Sequence, residues 1–184
     1  MHRKRKYLIL LSVFASYFLF VSTVFASPEA YRLGLTRARQ EMPNWCWAAS
    51  AKVIGNYKGY NYNQSRIVSQ IKGSVKDEGA TTSETVEAIR FAIGYSRAVN
   101  LISPMKYDAM KDTIYELDPI ACWMSWNGGG AHIVVIGGYD GSKRVQILDP
   151  CGNCQTRYYS YEKLLKEIKL QSGKGHCKYM FELV

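Results

Sequence analysis

The sequence lacks several features that would each define a familiar class of protein. Beyond residue 25, no apolar run in its 184 residues is long enough to cross a bilayer, which excludes a protein with several membrane spans. No segment repeats along the chain, so a repeat architecture is excluded as well. Lys and Arg outnumber Asp and Glu by 24 to 15, yet they form no cluster with interleaved aromatic residues after the first few positions. We therefore expect no nucleic-acid partner.

Histidine is also scarce, since the chain contains only His2, His132 and His176. His2 lies in the N-terminal leader, and His176 lies close to the C-terminus. A reaction that needs an imidazole to move a proton therefore has one well-placed candidate, His132. A hydrogen-bonded structural histidine is the alternative at this position.

The N-terminus has the composition of an export signal. Basic residues 2–6 precede a largely apolar run, Tyr7–Phe25, and the small Ala26 follows. We expect cleavage after Ala26, so that residues 1–26 are a signal peptide and residues 27–184 form a single secreted or periplasmic domain. A retained membrane anchor is the alternative. Cleavage would leave 20 basic and 15 acidic residues, which lowers the formal charge from +9 to +5. We expect the mature chain to be a monomer that does not contact membranes.

The chain contains five cysteines, an odd number for an exported protein. Because export compartments favour disulfides, we expect two bridges and one free thiol. Of the three pairings open to the four cysteines of the second half, we favour Cys151–Cys154 with Cys122–Cys177. The alternative is a zinc site that combines Cys151 and Cys154 with His176 and Cys177. A lone CxxC is a weak zinc signal, and we expect neither a metal nor a cofactor.

Cys46 is the cysteine that we expect to stay free, because it lies at the start of a predicted helix. Pro43 and Asn44 provide a stop and a cap, and apolar residues at helical spacing then predict a helix over Trp45–Tyr57. Unpaired N–H groups and the helix dipole favour the thiolate, the nucleophilic form, at such a position. The side-chain amide of Gln40 would help the Cys46 N–H to stabilise an oxyanion. A buried structural cysteine between two tryptophans is the alternative.

Apolar periodicity predicts a helical part followed by a strand-rich part, which is the order of an α+β fold. The helical lobe covers about residues 40–117, with two further helices, one ended by Gly73 and one capped by Thr82 or Ser83, and a modest fourth helix near its end. The sheet lobe covers about residues 118–184. Its predicted elements are strands at Ile120–Trp126, His132–Tyr139, Arg144–Leu148 and Gln155–Tyr159, a helix at Ser160–Leu170 and a last strand at Tyr179–Val184.

A glycine-rich loop leads from Trp126 into the strand that begins at His132. Three consecutive glycines indicate close approach of another backbone. The residues Tyr139–Ser142 predict a hairpin, and antiparallel pairing through it would bring His132 beside Asp149. A thiol, an imidazole and a carboxylate are the groups that acyl transfer by cysteine needs. Taken alone, Asp149 before Pro150 is also typical of a residue that merely ends a strand.

These segments together resemble the papain-like cysteine peptidases. Within that family, the chain is similar to the effector proteases of bacterial plant pathogens and to the leader-cleaving peptidase domains of bacteriocin exporters. The resemblance covers nearly all of the mature chain and rests on Gln40, Asn44–Ala49, Trp126–Val135 and Leu148–Pro150, in that order. The Cys151–Cys154 insertion beside the aspartate departs from the family pattern.

The resemblance implies a two-lobe α+β fold in which the nucleophile helix packs on an antiparallel sheet lobe. It implies Cys46 as the nucleophile, His132 as the general base and acid, Asp149 as the residue that orients His132, and Gln40 in the oxyanion hole.

We therefore expect a cysteine peptidase with a polypeptide substrate, such as a host or competitor protein. The residues that we expect to contact it are Trp47, Trp126, Asn127, Gly129 and Gly130. The same scaffold also supports amidase, deamidase and transglutaminase chemistry, and a non-catalytic binding module is a further alternative.

Overall fold

The computed structural model describes residues 26–184. The predicted signal peptide lies outside the described residues except for Ala26, and its cleavage stays a prediction. None of the described helices is long and apolar enough to cross a membrane.

Residues 26–184 form five helices and eight strands. The helices are α1 (Cys46–Tyr57), α2 (Gln64–Lys72), α3 (Thr82–Ala92), α4 (Tyr107–Tyr115) and α5 (Tyr161–Lys166). The strands are β1 (Tyr31–Arg32), β2 (Val99–Ile102), β3 (Ile120–Trp126), β4 (Ala131–Asp140), β5 (Arg144–Leu148), β6 (Arg157–Ser160), β7 (Ile168–Lys169) and β8 (Lys174–Leu183).

The strands form one antiparallel sheet in the order β2-β8-β3-β4-β5-β6, with β1 added to β4 and β7 added to β8. The sheet has an apolar core on each face. Alternate residues of β4 divide between the two cores, since Ile133 and Val135 pack against α1, α2 and α3, whereas Val134 and Ile136 pack against α4 and α5. Burial on both faces explains why β4 is an almost continuous apolar run.

The position of α4 differs from the sequence-based grouping. The sequence places this segment in the helical lobe, but Met110 and Ile114 of α4 are fully buried in the core on the other face of the sheet. These apolar positions, four residues apart, form one stripe on the helix, and that stripe packs on the sheet face that α1–α3 leave free.

Element boundaries differ most where polar residues continue a strand. The last strand begins at Lys174 and not at Tyr179, and β2 lies within the predicted helical lobe, where the sequence indicates no strand. β2 pairs with β8 from Val99–Leu183 to Ile102–Met180. The exposed residues Asn100 and Leu101 hide the alternation that would have indicated this short edge strand.

Candidate active site

Cys46 is the first residue of α1 and is partly exposed, whereas the five residues after it are buried. Trp45 occupies the N-cap position, and no side chain caps the helix. The predicted cap at Asn44 is wrong, because Asn44 lies one residue before the N-cap position and its side-chain oxygen accepts no helix N–H. Its N–H and side-chain amide donate to Asp77, over 2.9 Å to Oδ1 and 3.3 Å to the carbonyl oxygen. The N–H groups beside the thiol therefore have no capping side chain, which leaves them free for an oxyanion.

The tryptophans on both sides of Cys46 fix the neighbouring loop. Trp45 Nε1 donates to the carbonyl of Lys76 over 2.7 Å, and Trp47 Nε1 donates to the carbonyl of Glu78 over 3.0 Å. Trp47 is only 1% exposed, so it forms the base of the cleft and offers little free surface for the predicted contact.

His132 is the second residue of β4 and is buried. Its Nε2 donates to Oδ1 of Asp149 over 2.8 Å. The thiol of Cys46 lines the same cleft as His132, and its proximity to the imidazole is one of the causes that raise the pKa of His132. One imidazole therefore joins a thiol at a helix start to a buried carboxylate.

A β-bulge sets the register that brings Asp149 to His132. Pairing between β4 and β5 shifts by one residue at Gly137, so that Val135 lies opposite Leu148. Continued by one residue, this register sets Asp149 against Val134, which points to the same face as His132; without the bulge, Asp149 would lie on the other face. Gly137 allows the close approach of Leu35, since a Cβ there would lie 2.6 Å from Leu35 Cδ1.

The carboxylate of Asp149 is only 1% exposed and accepts three hydrogen bonds. His132 Nε2 and the Cys151 N–H, at 3.2 Å, share Oδ1, and the Ser172 hydroxyl donates to Oδ2 over 2.6 Å. Burial alone would raise the pKa of this carboxyl, but the hydrogen bonds and the His132 charge outweigh it and lower the pKa. Arg37 also holds the loop, because its guanidinium donates to the Asp149 and Cys151 carbonyls over 3.0 and 3.1 Å.

The same balance acts on the imidazole with the opposite result. Burial alone would lower the pKa of His132, but the hydrogen bonds to Asp149 and Cys46, together with their charges, raise it to about 9. Near neutral pH the geometry therefore favours an imidazolium beside the thiol.

Gln40 lies next to the cleft, but its amide is engaged elsewhere. Its Nε2 donates to the carbonyls of Met42 and Pro43 over 3.1 and 2.6 Å, while Oε1 is buried without a partner among the described residues. Its backbone N–H donates to the Pro150 carbonyl over 2.8 Å. In this arrangement Gln40 stabilises the turn that leads to Cys46, and the predicted oxyanion role stays a prediction.

The other predicted substrate-contact residues separate into two groups. The indole of Trp126 stacks on the imidazole of His132 at 5.7 Å between ring centres, and Gly130 lines the cleft. Asn127 instead donates to Glu167 Oε2 over 2.7 Å, and neither it nor Gly129 lines the cleft. Close approach of another backbone does not explain Gly129 and Gly130, because a Cβ at either position would meet nothing within 4 Å. Their φ angles of 90° and 82° explain the glycines, since other residues rarely adopt such values.

The cleft in front of Cys46 has a volume of about 340 Å³. Its walls come from the start of α1, the loop before α3, and the facing strands β3 and β4. The residues that line it are Pro43, Asn44, Cys46, Trp47, Gly79, Ala80, Trp123, Gly130, Ala131, His132 and Ile133.

One of the two predicted disulfides forms. Cys151 and Cys154 are bridged, with Cα atoms 5.3 Å apart, whereas Cys122 and Cys177 are free and buried. The second predicted bridge is wrong because of the register: Cys122 lies opposite Met180 and Cys177 opposite Met124. Diagonal Cα atoms in a sheet lie about 7–8 Å apart, beyond the usual span of a disulfide.

The four residues of the alternative zinc site do not lie together in the structure. Among the described residues, the potential ligand groups that lie together are Asp149, Cys151 and Cys154, without His176 or Cys177. The two sulfur atoms of this set are joined in the disulfide, and the carboxylate already binds His132 and Ser172.

Fold and site together define a cysteine peptidase of the papain-like class. The family described as papain-like cysteine protease AvrRpt2 matches residues 30–166, so the chain belongs to that family. None of the curated proteins compared with the chain matches it.

Three solved structures are similar in fold. A putative C39-like peptidase from Bacillus anthracis has a TM-score of 0.61 at 13% identity and covers 85% of this chain and 98% of its own. The peptidase domain of the Streptococcus transporter ComA has a TM-score of 0.56 at 19% identity, covering 80% and 96%. A double glycine motif protease from an AMS/PCAT transporter, in complex with its leader peptide, has a TM-score of 0.53 at 18% identity, covering 83% and 94%.

Three residues that hold the site together were not predicted from the sequence. Arg37 and Ser172 support Asp149, and Ser50 donates to the carbonyl of Ile133 over 3.2 Å. Ser50 is a polar residue on the buried side of α1, which is a signal that it has a partner. Ser172 had no comparable signal, because β7 before it is only two residues long.

Proposed function

We propose that this cysteine peptidase hydrolyses peptide bonds through Cys46, His132 and Asp149. The observation that carries the proposal is the single imidazole of His132, which binds Asp149 through Nε2 and lines the same cleft as the Cys46 thiol. This geometry favours a protonated His132 beside the thiol, which provides the proton that the leaving group needs.

The geometry supports a sequence of proton transfers by His132. The Cys46 thiolate attacks the substrate carbonyl carbon, and the oxyanion that forms accepts hydrogen bonds from the N–H groups at the uncapped start of α1. His132 then protonates the leaving amine, which releases the first product and leaves an acyl-enzyme. Next, His132 removes a proton from water, and the hydroxide attacks the thioester carbonyl. Cleavage of the C–S bond releases the carboxylic acid product and returns the Cys46 thiolate beside a protonated His132.

Gln40 would add a second donor to the oxyanion hole. Its amide lies in the turn that leads to Cys46, so it needs only to exchange one of its bonds to the Met42 and Pro43 carbonyls for the oxyanion. Asp149 keeps Nε2 of His132 protonated, which leaves Nδ1 as the nitrogen that exchanges protons with the thiol and the leaving group.

The substrate class that we propose is a polypeptide. A cleft of about 340 Å³ between the start of α1 and strand β4 supports an extended chain that crosses the thiol. One of the similar structures holds a leader peptide, which supports the same class. A host or competitor protein is the substrate that an exported enzyme would meet. We propose a monomer, because all three catalytic groups come from one chain.

We also propose that the chain is exported and cleaved after Ala26. The composition of residues 1–26 supports this, and so does the Cys151–Cys154 disulfide, because oxidising compartments favour such bonds. N-terminal sequencing of protein recovered from periplasmic and extracellular fractions tests it. A chain that keeps residues 1–26 in the membrane fraction would contradict it.

The decisive experiment profiles the purified mature chain against a peptide library and against cell-wall fragments, with Cys46→Ala as control. We expect cleavage of backbone peptide bonds that is abolished in Cys46→Ala. Release of ammonia or amine from side-chain amides, without chain cleavage, would assign the amidase, deamidase or transglutaminase alternative. Equal binding by both proteins with no turnover would assign the binding module.

A further inference from the structure

The connection between β7 and β8 folds back onto the catalytic aspartate. The N–H of Leu170 donates to the Gly173 carbonyl over 2.8 Å, which closes a tight turn. Within this turn, which we call the support turn (residues 170–173), the hydroxyl of Ser172 donates to Oδ2 of Asp149 over 2.6 Å. The support turn is separate from the β4–β5 hairpin that brings Asp149 to His132.

The two oxygens of Asp149 have different partners. Oδ1 accepts from His132 and from the Cys151 N–H, whereas Ser172 is the one donor to Oδ2 in the described part of the chain. A carboxylate rotates readily about its Cβ–Cγ bond, because that torsion has a broad energy minimum. The Ser172 bond therefore fixes the carboxylate plane and keeps Oδ1 aligned with Nε2 of His132.

The support turn is itself held from two sides, so the Ser172 hydroxyl has a defined position. The side-chain amide of Gln171 pairs with the backbone of Gln155, donating to its carbonyl over 2.6 Å and accepting from its N–H over 3.2 Å. On the other side, Gly173 packs so closely on the indole of Trp126 that a Cβ would lie 2.9 Å from the ring. That indole stacks on His132, so the support turn contacts both the carboxylate of Asp149 and the indole of Trp126 that lie against the imidazole.

We propose that Ser172 is a positioning residue of the peptidase, acting through Asp149 on the orientation and charge of His132. The inference rests on the proposed function and extends it by a fourth side chain. Ser172 touches neither the thiol nor the substrate cleft, so its loss should slow the chemical step and leave substrate binding unchanged.

The expected consequences follow from the loss of one charge-assisted hydrogen bond. In Ser172→Ala the carboxylate rotates more freely, and kcat falls about tenfold while KM stays as in the unaltered protein. The hydrogen bond that His132 donates to Asp149 is one of the interactions that raise the pKa of His132, so its weakening moves the alkaline limb of the rate profile to lower pH. Replacing a residue that only stabilises the fold would neither lower kcat at unchanged KM nor shift the alkaline limb.

The experiment compares Ser172→Ala, Asp149→Asn and the double variant, with Ser142→Ala as the matched control on an exposed turn. Peptide cleavage gives kcat and KM across pH, and NMR of the His132 ring gives its titration in the resting protein. We expect the shift caused by Ser172→Ala to vanish in the Asp149→Asn background, since Ser172 acts through that carboxylate.

Three outcomes separate this inference from the function on which it rests. An unchanged kcat and alkaline limb in Ser172→Ala would overturn the inference, and so would an equal loss in the Asp149→Asn background. Either result leaves the peptidase proposal standing if Cys46→Ala is inactive. Full activity in Cys46→Ala would instead overturn the proposed function itself.

Discussion

The hydroxyl of Ser50 donates a hydrogen bond to the carbonyl oxygen of Ile133 over 3.2 Å, and this bond joins the helix that carries Cys46 to the strand that carries His132. Ser50 lies about one helical turn after Cys46, and Ile133 directly follows His132. The distance between thiol and imidazole therefore depends on a buried polar contact, with Ser50 only 1% exposed.

Replacement of Ser50 by Ala should weaken this connection. We expect a loss of about 1 kcal/mol in the free energy of unfolding, because a buried hydrogen bond is removed, and a larger proportional loss of kcat as Cys46 and His132 separate. Denaturant unfolding and peptide cleavage measure the two effects. Ser142→Ala is the exposed control, and wild-type values for both measurements in Ser50→Ala would contradict the prediction.

The rate of cleavage should fall on the alkaline side only at a pH well above the ordinary pKa of histidine. The pKa of His132 is about 9, because its bonds to Asp149 and Cys46 outweigh the opposing effect of burial. The imidazolium that protonates the leaving group is therefore present below about pH 9 and is lost as the pH rises through that value. A profile of kcat/KM against pH measures the limb. A limb near the ordinary pKa of histidine would show that Asp149 and Cys46 do not raise the pKa of His132.

The β4–β5 hairpin is the part of the site that the sequence determines most directly. Asp140 and Gly141 predict the turn between β4 and β5, and His132 lies beside Asp149 in the structure, as pairing through that turn requires. The sequence could not show that the pairing needs a one-residue shift at Gly137, since a bulge depends on how Leu35 packs across the strand.

The supporting contacts were harder to predict, because they come from distant segments with weak local patterns. Arg37 lies 112 residues before Asp149, in a stretch with little regular structure. The Asn44 cap failed for a related reason: its local sequence is suitable, but Asn44 is held by hydrogen bonds to Asp77, 33 residues later, and the helix begins after Trp45. Tertiary contacts override the local sequence propensity in such cases.

Cys46 should be the thiol that reacts first. It is partly exposed in the cleft, whereas Cys122 and Cys177 are 0% and 2% exposed, and burial raises the pKa of Cys122 well above its usual range. Iodoacetamide at low excess, followed by peptide mapping of the native protein, should place the adduct on Cys46. Modification of Cys122 or Cys177 before Cys46 would contradict the assignment, and Cys46→Ala provides the unlabelled control.

The Cys151–Cys154 disulfide should stabilise the loop that follows Asp149. Replacing both cysteines by Ser should cost roughly 2 kcal/mol in the free energy of unfolding, as expected for so short a loop. We also expect reduced kcat, because the Cys151 N–H donates to the Asp149 carboxylate. Calorimetry and cleavage assays measure both. Cys122→Ser tests whether the loss is specific to the bridge, and an unchanged melting temperature in the double variant would contradict the prediction.

The order of activity losses within the site tests the assignment of roles. Cys46→Ala and His132→Ala should each lower turnover by several orders of magnitude, roughly as much as the two together, because they act as one unit. Asp149→Asn should cost less, since it disturbs the orientation and tautomer of His132 without removing the base.

Gln40→Ala should lower the rate about a hundredfold if its amide turns from the Met42 and Pro43 carbonyls to the oxyanion. The matched control is Asn127→Ala, whose amide binds Glu167 outside the cleft and whose loss should leave kcat near the wild-type value. If Asp149→Asn kept full activity while Asn127→Ala abolished it, the third member of the site would be wrongly assigned. If Gln40→Ala kept full activity, the oxyanion would depend on the N–H groups of α1 alone, since no side chain caps that helix.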